Sequence, residues 1–249
     1  MPLEPRPSNA RPPADCLAIV PALDEEGSVA EVVAELRSLP GIDVLVVDDG
    51  SSDRTAAVAR AAGARVVSMP FNVGIGGAVQ TGFMWALEHG YSVAVQVDGD
   101  GQHPAGEVDL LVGAVRRGEA DLVIGSRFLG AGSYRAPFAR RVGIRVFSSV
   151  VSAIVRVKVT DTTSGFRAAG PEAIALFARA YPHDYPEVET VIVAHRAGLR
   201  VQERPVEMRL RQTGASSITP FRSAYYMIKV LLAIGVETLR RPAPAPLEP

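Results

Sequence analysis

The stretch VAVQVDGDGQHP, residues 93–104, ends an apolar run with Asp98, Asp100, Gln102 and His103. Two carboxylates two residues apart at the end of a strand can face the same side. Hard divalent cations such as Mg²⁺ or Mn²⁺ take few protein oxygens and complete their shells with water and phosphate. The spacing therefore suits a metal-bound diphosphate held by Asp98 and Asp100, and Gln102 can add an amide oxygen. His103, just before Pro104, serves equally well as an ordinary loop residue and stays unassigned.

Other polar clusters carry comparable chemistry. In VVDDGSSDRT, Gly50 allows a tight turn after Asp48 and Asp49, and Ser52 or Asp53 can cap a following helix. Adjacent carboxylates repel unless a ligand rich in donors, such as a ribose or a base edge, lies against them. Asp48 and Asp49 are thus candidate ligand contacts. In PALDEEGS, Asp24 can cap a helix whose positive end Glu25 and Glu26 would favour. NVGIGGAVQTG falls short of G-x-G-x-x-G because Val79 stands at the third glycine position. It reads instead as a close-approach loop, with Asn72 and Gly74 leaving room for a ligand and Gly77 opening a helix. Arg127 in GSRF, and the pair Arg140 and Arg141, can supply positive charge to phosphates.

These clusters need a scaffold, and the chain predicts one. Apolar runs at 16–20, 42–47, 64–68, 91–97 and 121–125 are strand-like in length and composition. Helical spacing fills 26–38, 53–62, 77–89 and 105–117. The alternation predicts an α/β fold, a mostly parallel sheet with helices on both faces. Sites in such sheets lie at the carboxyl ends of strands, where all five polar clusters fall.

Composition narrows the rest. The chain has 249 residues, 47% hydrophobic and 21% charged, which is enough for one large domain with a core. A net charge of -1 gives no reason to expect nucleic acid as a partner. The single cysteine, Cys16, excludes an internal disulfide and reads as a buried strand thiol. Residues 1–14 have prolines where a signal peptide needs an apolar core, and are expected to be a disordered arm on a cytoplasmic protein. Residues 15–218 are expected to form the domain, and 241–249 a disordered tail. Within 219–240, about 13 apolar residues interrupted by Lys229 are too few to span a bilayer. Tyrosines and flanking arginines suit either an amphipathic helix on a lipid surface or one packed on the domain.

Taken together, VPALDEEGSV, VVDDGSSDRT, NVGIGGAVQTG, VDGDGQHP, GSRF and DTTSGFR resemble family 2 glycosyltransferases of the GT-A fold. The resemblance covers residues 16–218 and points to the branch of dolichol- and polyprenyl-phosphate sugar synthases. It implies a nucleotide-sugar donor whose base and ribose lie near Pro21, Ala22, Asp24, Glu26 and Asp49. It also implies Mg²⁺ or Mn²⁺ on Asp100 and Gln102, with Asp98 near the ribose and diphosphate. Ser164 and Gly165, in DTTSGFR, would lie below the transferred sugar and the acceptor phosphate; Asp161 and Ser164 can also be read as turn residues, with Arg167 on a strand. Glu189 and Glu203 match two family glutamates in a helix–strand unit. Arg211 and Gly214 match a segment over the diphosphate in which Ser217 replaces the usual lysine, leaving Arg211 and Arg209 to carry the phosphate contact.

The implied activity is transfer of a sugar, with inversion, to polyprenyl phosphate. A phosphate acceptor is already an anion, whereas a hydroxyl acceptor needs a general base. The SSI and YPEVE segments resemble relatives associated with N-acetylhexosamine, so a UDP-sugar is expected over GDP-mannose. Surface adhesion at the inner face of the plasma membrane, or a small membrane-protein partner, would bring the enzyme to its lipid. Two alternatives are a transferase extending a cell-envelope glycan or glycolipid hydroxyl, and a sugar-phosphate nucleotidyltransferase. The latter expects a basic glycine-rich loop where this chain has the acidic PALDEEGS.

Overall fold

A computed structural model describes residues 14–129, 148–155, 158–183 and 186–209. The strands β1 (Cys16–Ala22), β2 (Ile42–Asp48), β3 (Arg65–Ser68), β4 (Val93–Gln96), β5 (Leu122–Ser126), β6 (Arg167–Ala169) and β7 (Val201–Pro205) form one sheet of order β3-β2-β1-β4-β6-β5-β7. All pairings are parallel except those of β6, which runs antiparallel between β4 and β5. The connecting helices are α1 (Val29–Ser38), α2 (Thr55–Ala61), α3 (Gly74–Glu88), α4 (Val108–Arg116), α5 (helical residues 148–155), α6 (Pro171–Arg179) and α7 (Pro186–Arg196).

Strands β1 and β2 are continuous apolar runs because both faces of the sheet are covered. Leu17, Ile19, Leu45 and Val47 point into a core closed by α3, α5, α6 and α7. Their neighbours Cys16, Ala18, Val20, Val44 and Val46 point the other way, toward α1, α2 and α4. Burying each Val, Leu or Ile fully contributes about 1.5–3 kcal/mol before entropy. Cys16 lies in this second core, and burial pushes its thiol up to about 12, so it stays protonated and unreactive.

Several predicted boundaries shift for local reasons. Helix α1 begins at Val29 rather than at 26, because residues 24–26 are engaged with the loop after β2. Helix α3 opens at Gly74 rather than Gly77, on a turn that Asp49 holds. The helix expected over 105–117 starts as a 3₁₀ turn, Ala105–Glu107, before α4. Strand β4 stops at Gln96, where its pairing to Ile19 of β1 and Arg167 of β6 ends. Asp98 and Asp100 therefore sit in a turn beyond the strand, and their orientation comes from that turn rather than from strand alternation.

Candidate active site

The loops after β1 and β2 are locked together. Asp24 adopts a left-handed backbone, φ 53°, which Asp tolerates better than most residues. Its N–H donates to Ser51 Oγ at 3.0 Å, and its Oδ1 accepts from Ser52 N at 2.8 Å and Ser52 Oγ at 3.1 Å. Glu26 makes a reciprocal pair: its N–H donates to Asp53 Oδ2 at 3.1 Å, and its Oε2 accepts from Arg54 N at 3.1 Å. Between them, Glu25 N–H donates to Thr55 Oγ1 at 2.8 Å. Asp53 also accepts the Thr55 N–H at 2.8 Å, so although Arg54 takes the N-cap position of α2, of the two predicted caps it is Asp53 that bonds the helix's first residue.

The adjacent carboxylates Asp48 and Asp49, both buried, have separate partners. Asp48 Oδ1 accepts from Ser51 N at 3.1 Å and closes the turn over Gly50. That glycine, φ 76°, has room for no side chain: a Cβ would lie 2.8 Å from the backbone of Phe71 and Asn72. Asp49 reaches the next loop, its Oδ1 accepting from Val73 N at 2.7 Å and Oδ2 from Gly74 N at 3.0 Å. Asn72 Oδ1 takes the Gly74 N–H as well, at 2.9 Å.

Beyond β4, Asp100 Oδ1 accepts the Gln102 N–H at 3.0 Å. Gly99 lets this turn pass the tip of β1, since a Cβ there would lie 3.2 Å from Pro21 O. The Gln102 carbonyl accepts from Arg209 N at 2.9 Å, while the Arg209 guanidinium pairs with Glu35 at 2.7 Å. Arg209, expected on phosphate, is thus turned to α1. His103 is buried against Phe166, rings stacked 4.8 Å apart, and its Nδ1 accepts the Asp98 N–H at 3.0 Å.

The segment before β6 forms a separate buried network beside the acidic turn. Arg127 grips the fully buried Asp161 through Nε at 2.7 Å and Nη2 at 2.8 Å, and Nη2 also reaches Thr163 Oγ1 at 2.8 Å. Its charge is committed inside the protein rather than offered to a phosphate. Glu203 on β7 supports the same segment, accepting from Thr160 N at 2.8 Å, Thr160 Oγ1 at 2.8 Å and Asp161 N at 2.8 Å. Burial pushes the Glu203 carboxyl up, against the lowering effect of those bonds. Ser164 is a turn residue whose Oγ accepts from Phe166 N at 3.3 Å. Gly165 presses on the acidic turn: a Cβ there would lie 3.2 Å from both Asp98 carboxylate oxygens. Arg167 is buried on β6 and donates to Ser164 O at 2.7 Å, Thr162 O at 3.3 Å, Glu187 O and Thr190 Oγ1. Burial lowers the Arg167 pKa and raises that of Glu187.

The loops after β1, β2, β3 and β4, with the start of α3, enclose a cleft of about 310 Å³ lined by Pro21, Ala22, Glu25, Asp49, Asn72, Gly74, Asp98 and Asp100, with Leu23, Ile75, Ala78 and Gly99 between them. Residues 17–169 match the sequence model of Glycosyl transferase family 2. The chain belongs to this family. It is a glycosyltransferase with the GT-A fold: a glucosyl-3-phosphoglycerate synthase from Mycobacterium tuberculosis, crystallised with Mn²⁺, UDP and phosphoglyceric acid, superposes with a TM-score of 0.69 at 22% identity over 92% of this chain and 80% of that one. Polyprenol monophosphomannose synthase of Mycolicibacterium smegmatis is 31% identical over 90% of this chain and 88% of its own. Undecaprenyl-phosphate mannosyltransferase of Micrococcus luteus is 34% identical over 82% of this chain and 87% of its own. Membership disposes of the nucleotidyltransferase alternative.

In this glycosyltransferase the cleft gathers Pro21, Ala22, Asp49, Asn72, Gly74, Asp98 and Asp100 of the predicted set. Asp24, Glu26 and Asp48 instead brace the loops behind it, and Gln102, Ser164, Gly165 and Arg127 stand in the surrounding turns. Arg140, Arg141, Arg211, Gly214, Ser217 and the stretch 219–240 lie outside the described residues. Sequence reasoning placed Glu25 only at a helix end, although it lines the cleft, and left His103 without a role. A signal for His103 existed in its position directly after the acidic turn.

Proposed function

We propose that the protein moves a sugar from a nucleoside diphosphate sugar to a polyprenyl phosphate, with Mg²⁺ or Mn²⁺ as cofactor. The observation that carries this reading is electrostatic. Glu25, Asp49, Asp98 and Asp100 line the cleft, and no Lys or Arg is among its described lining residues. Two like unit charges 4 Å apart repel by about 4 kcal/mol at an effective dielectric near 20. A diphosphate enters such a cleft accompanied by a divalent cation.

The donor set fits that ion. Asp98 and Asp100 line the cleft and Gln102 follows in the same turn, so the oxygens are hard ones suited to Mg²⁺ or Mn²⁺. Among the described residues no group of three or more His, Cys, Asp or Glu is placed to hold a metal, which leaves the remaining positions to the amide, phosphate and water. Bound there, the cation supplies charge neutralisation to the departing nucleoside diphosphate. Asp98 and Asp100 bind and orient, while the Asp49-held turn shapes the opposite wall for the nucleoside. An oxygen of the lipid phosphate attacks the anomeric carbon, and the sugar–phosphate bond to the nucleotide breaks with inversion. No proton has to be removed from such an acceptor.

The names of the two relatives support a polyprenyl-type acceptor, and with mannose in those names and N-acetylglucosamine in that of a 27% identical relative, GDP-mannose and a UDP-N-acetylhexosamine are both candidate donors. On this reading the enzyme works at the inner membrane surface, by adhesion or through a small membrane-protein partner. The test is incubation with membranes, Mg²⁺ or Mn²⁺ and a panel of radiolabelled UDP- and GDP-sugars. Label should enter an acid-labile lipid, and Asp100→Ala should abolish it. Absence of lipid product from every donor refutes the reading.

A further inference from the structure

The histidine after the acidic turn has contacts that simple space filling does not require. A backbone N–H can only donate, so His103 Nδ1, accepting from Asp98 N at 3.0 Å, carries no proton. The ring proton of the neutral imidazole is then on Nε2, which lies 3.7 Å from Asp98 Oδ2. That is beyond hydrogen-bond range but leaves a positive N–H dipole facing the carboxylate. The other oxygen, Oδ1, accepts from the buried Gln96 amide at 3.3 Å. His103 is itself 5% exposed and lies nearly parallel to Phe166, interplanar angle 14°, so the imidazole has no freedom to turn. Gly165 closes the arrangement without a side chain to displace Asp98.

We propose that His103 is a positioning residue for the metal–diphosphate end of the site: as an Nε2-protonated imidazole it fixes the Asp98 backbone and sets the direction of its carboxylate. The inference rests on the metal-bound diphosphate reading above. Partners that orient metal ligands are typically worth about 10- to 100-fold in metal affinity.

Two substitutions separate this role from packing. His103→Phe keeps the ring on Phe166 and removes both nitrogens; His103→Asn keeps an acceptor near the Nδ1 position and removes the Nε2 donor. Mn²⁺ binding in the presence of UDP, read from the free-ion EPR signal, is the measurement, with thermal melts run alongside. His103→Phe should weaken Mn²⁺ binding about tenfold or more, and His103→Asn should lose less. In an Asp98→Ala background His103→Phe should add less than about twofold, because the effect runs through Asp98. Wild-type affinity in His103→Phe overturns the proposal, as does an undiminished loss in the Asp98→Ala background. An asparagine loss as large as that of phenylalanine overturns the backbone hold. If the wild-type protein itself binds no Mn²⁺ with UDP, it is the metal reading that fails. Should the variants not fold, ¹⁵N NMR of the four histidines in the wild-type chain decides: an Nδ1-protonated His103 refutes the assignment.

Discussion

Replacing Asp49 by asparagine tests how the cleft is held open. The carboxylate is 4% exposed and accepts two backbone N–H groups, from Val73 at 2.7 Å and Gly74 at 3.0 Å. Hydrogen bonds to a charged acceptor contribute about 1.5–3 kcal/mol each, and a neutral one about 0.5–1.5. Asparagine keeps one oxygen, so one bond survives in its weaker form. Its NH₂ group faces the other N–H, donor against donor, and that bond is lost. The difference is about 2–4 kcal/mol of stability. For a domain of this size each kcal/mol lowers Tm by about 2–4 °C, so a drop of about 5–15 °C is expected by circular dichroism. UDP affinity should fall with it, because the turn at Gly74 forms one wall of the cleft. Asp48→Asn is the internal control: its single bond, from Ser51 N at 3.1 Å, needs only the oxygen that asparagine retains, and the cost should stay below about 1 kcal/mol. A Tm for Asp49→Asn within about 2 °C of wild type, or equal losses from the two variants, would refute this account of the acidic pair.

Three further outcomes follow from the same geometry. Asp161→Ala removes the fully buried carboxylate that the part-buried Arg127 guanidinium grips and should cost about 3 kcal/mol in urea unfolding. Gly165→Ala places a Cβ 3.2 Å from the Asp98 oxygens, so Mn²⁺ binding with UDP should weaken about tenfold while stability changes by no more than about 1–3 kcal/mol. Arg200 holds the Asp121 carboxyl below its ordinary range by a hydrogen bond at 2.6 Å, a contact screened by solvent. The folded pKa is depressed, so the pair's contribution is complete above the unfolded pKa and is lost as pH falls through the folded one. Asp121→Asn should therefore cost up to about 1 kcal/mol at neutral pH and progressively less below pH ~4 in pH-dependent melts.

The parallel half of the fold was legible because β1 and β2 are buried on both faces and so read as unbroken apolar runs ending in polar tips. Strand β6 was harder, being three residues long and opening with a buried arginine, with no periodicity to betray it. Its partnership with the acidic turn depends on contacts between distant segments, as does the pairing of Arg127 with Asp161, 34 residues apart. The division of labour inside DEE was also hidden. The left-handed turn at Asp24 directs Asp24 and Glu26 to the neighbouring loop and leaves Glu25 on the cleft, and side-chain type alone distinguishes none of the three. Identical chemistry at adjacent positions is sorted only by backbone direction.

The reversed strand in the middle of the sheet has an evolutionary corollary. Because β6 runs opposite to β4 and β5, the chain leaves the carboxyl end of β5 at Arg127 and returns to that end at Asp161, where those two side chains grip each other. Of the described residues between them, those of α5 pack into the core beneath β1 and β2. Descendants that inherit the fold therefore inherit both the Arg127–Asp161 clamp and the buried face of α5, and the donor half constrains what can change between them.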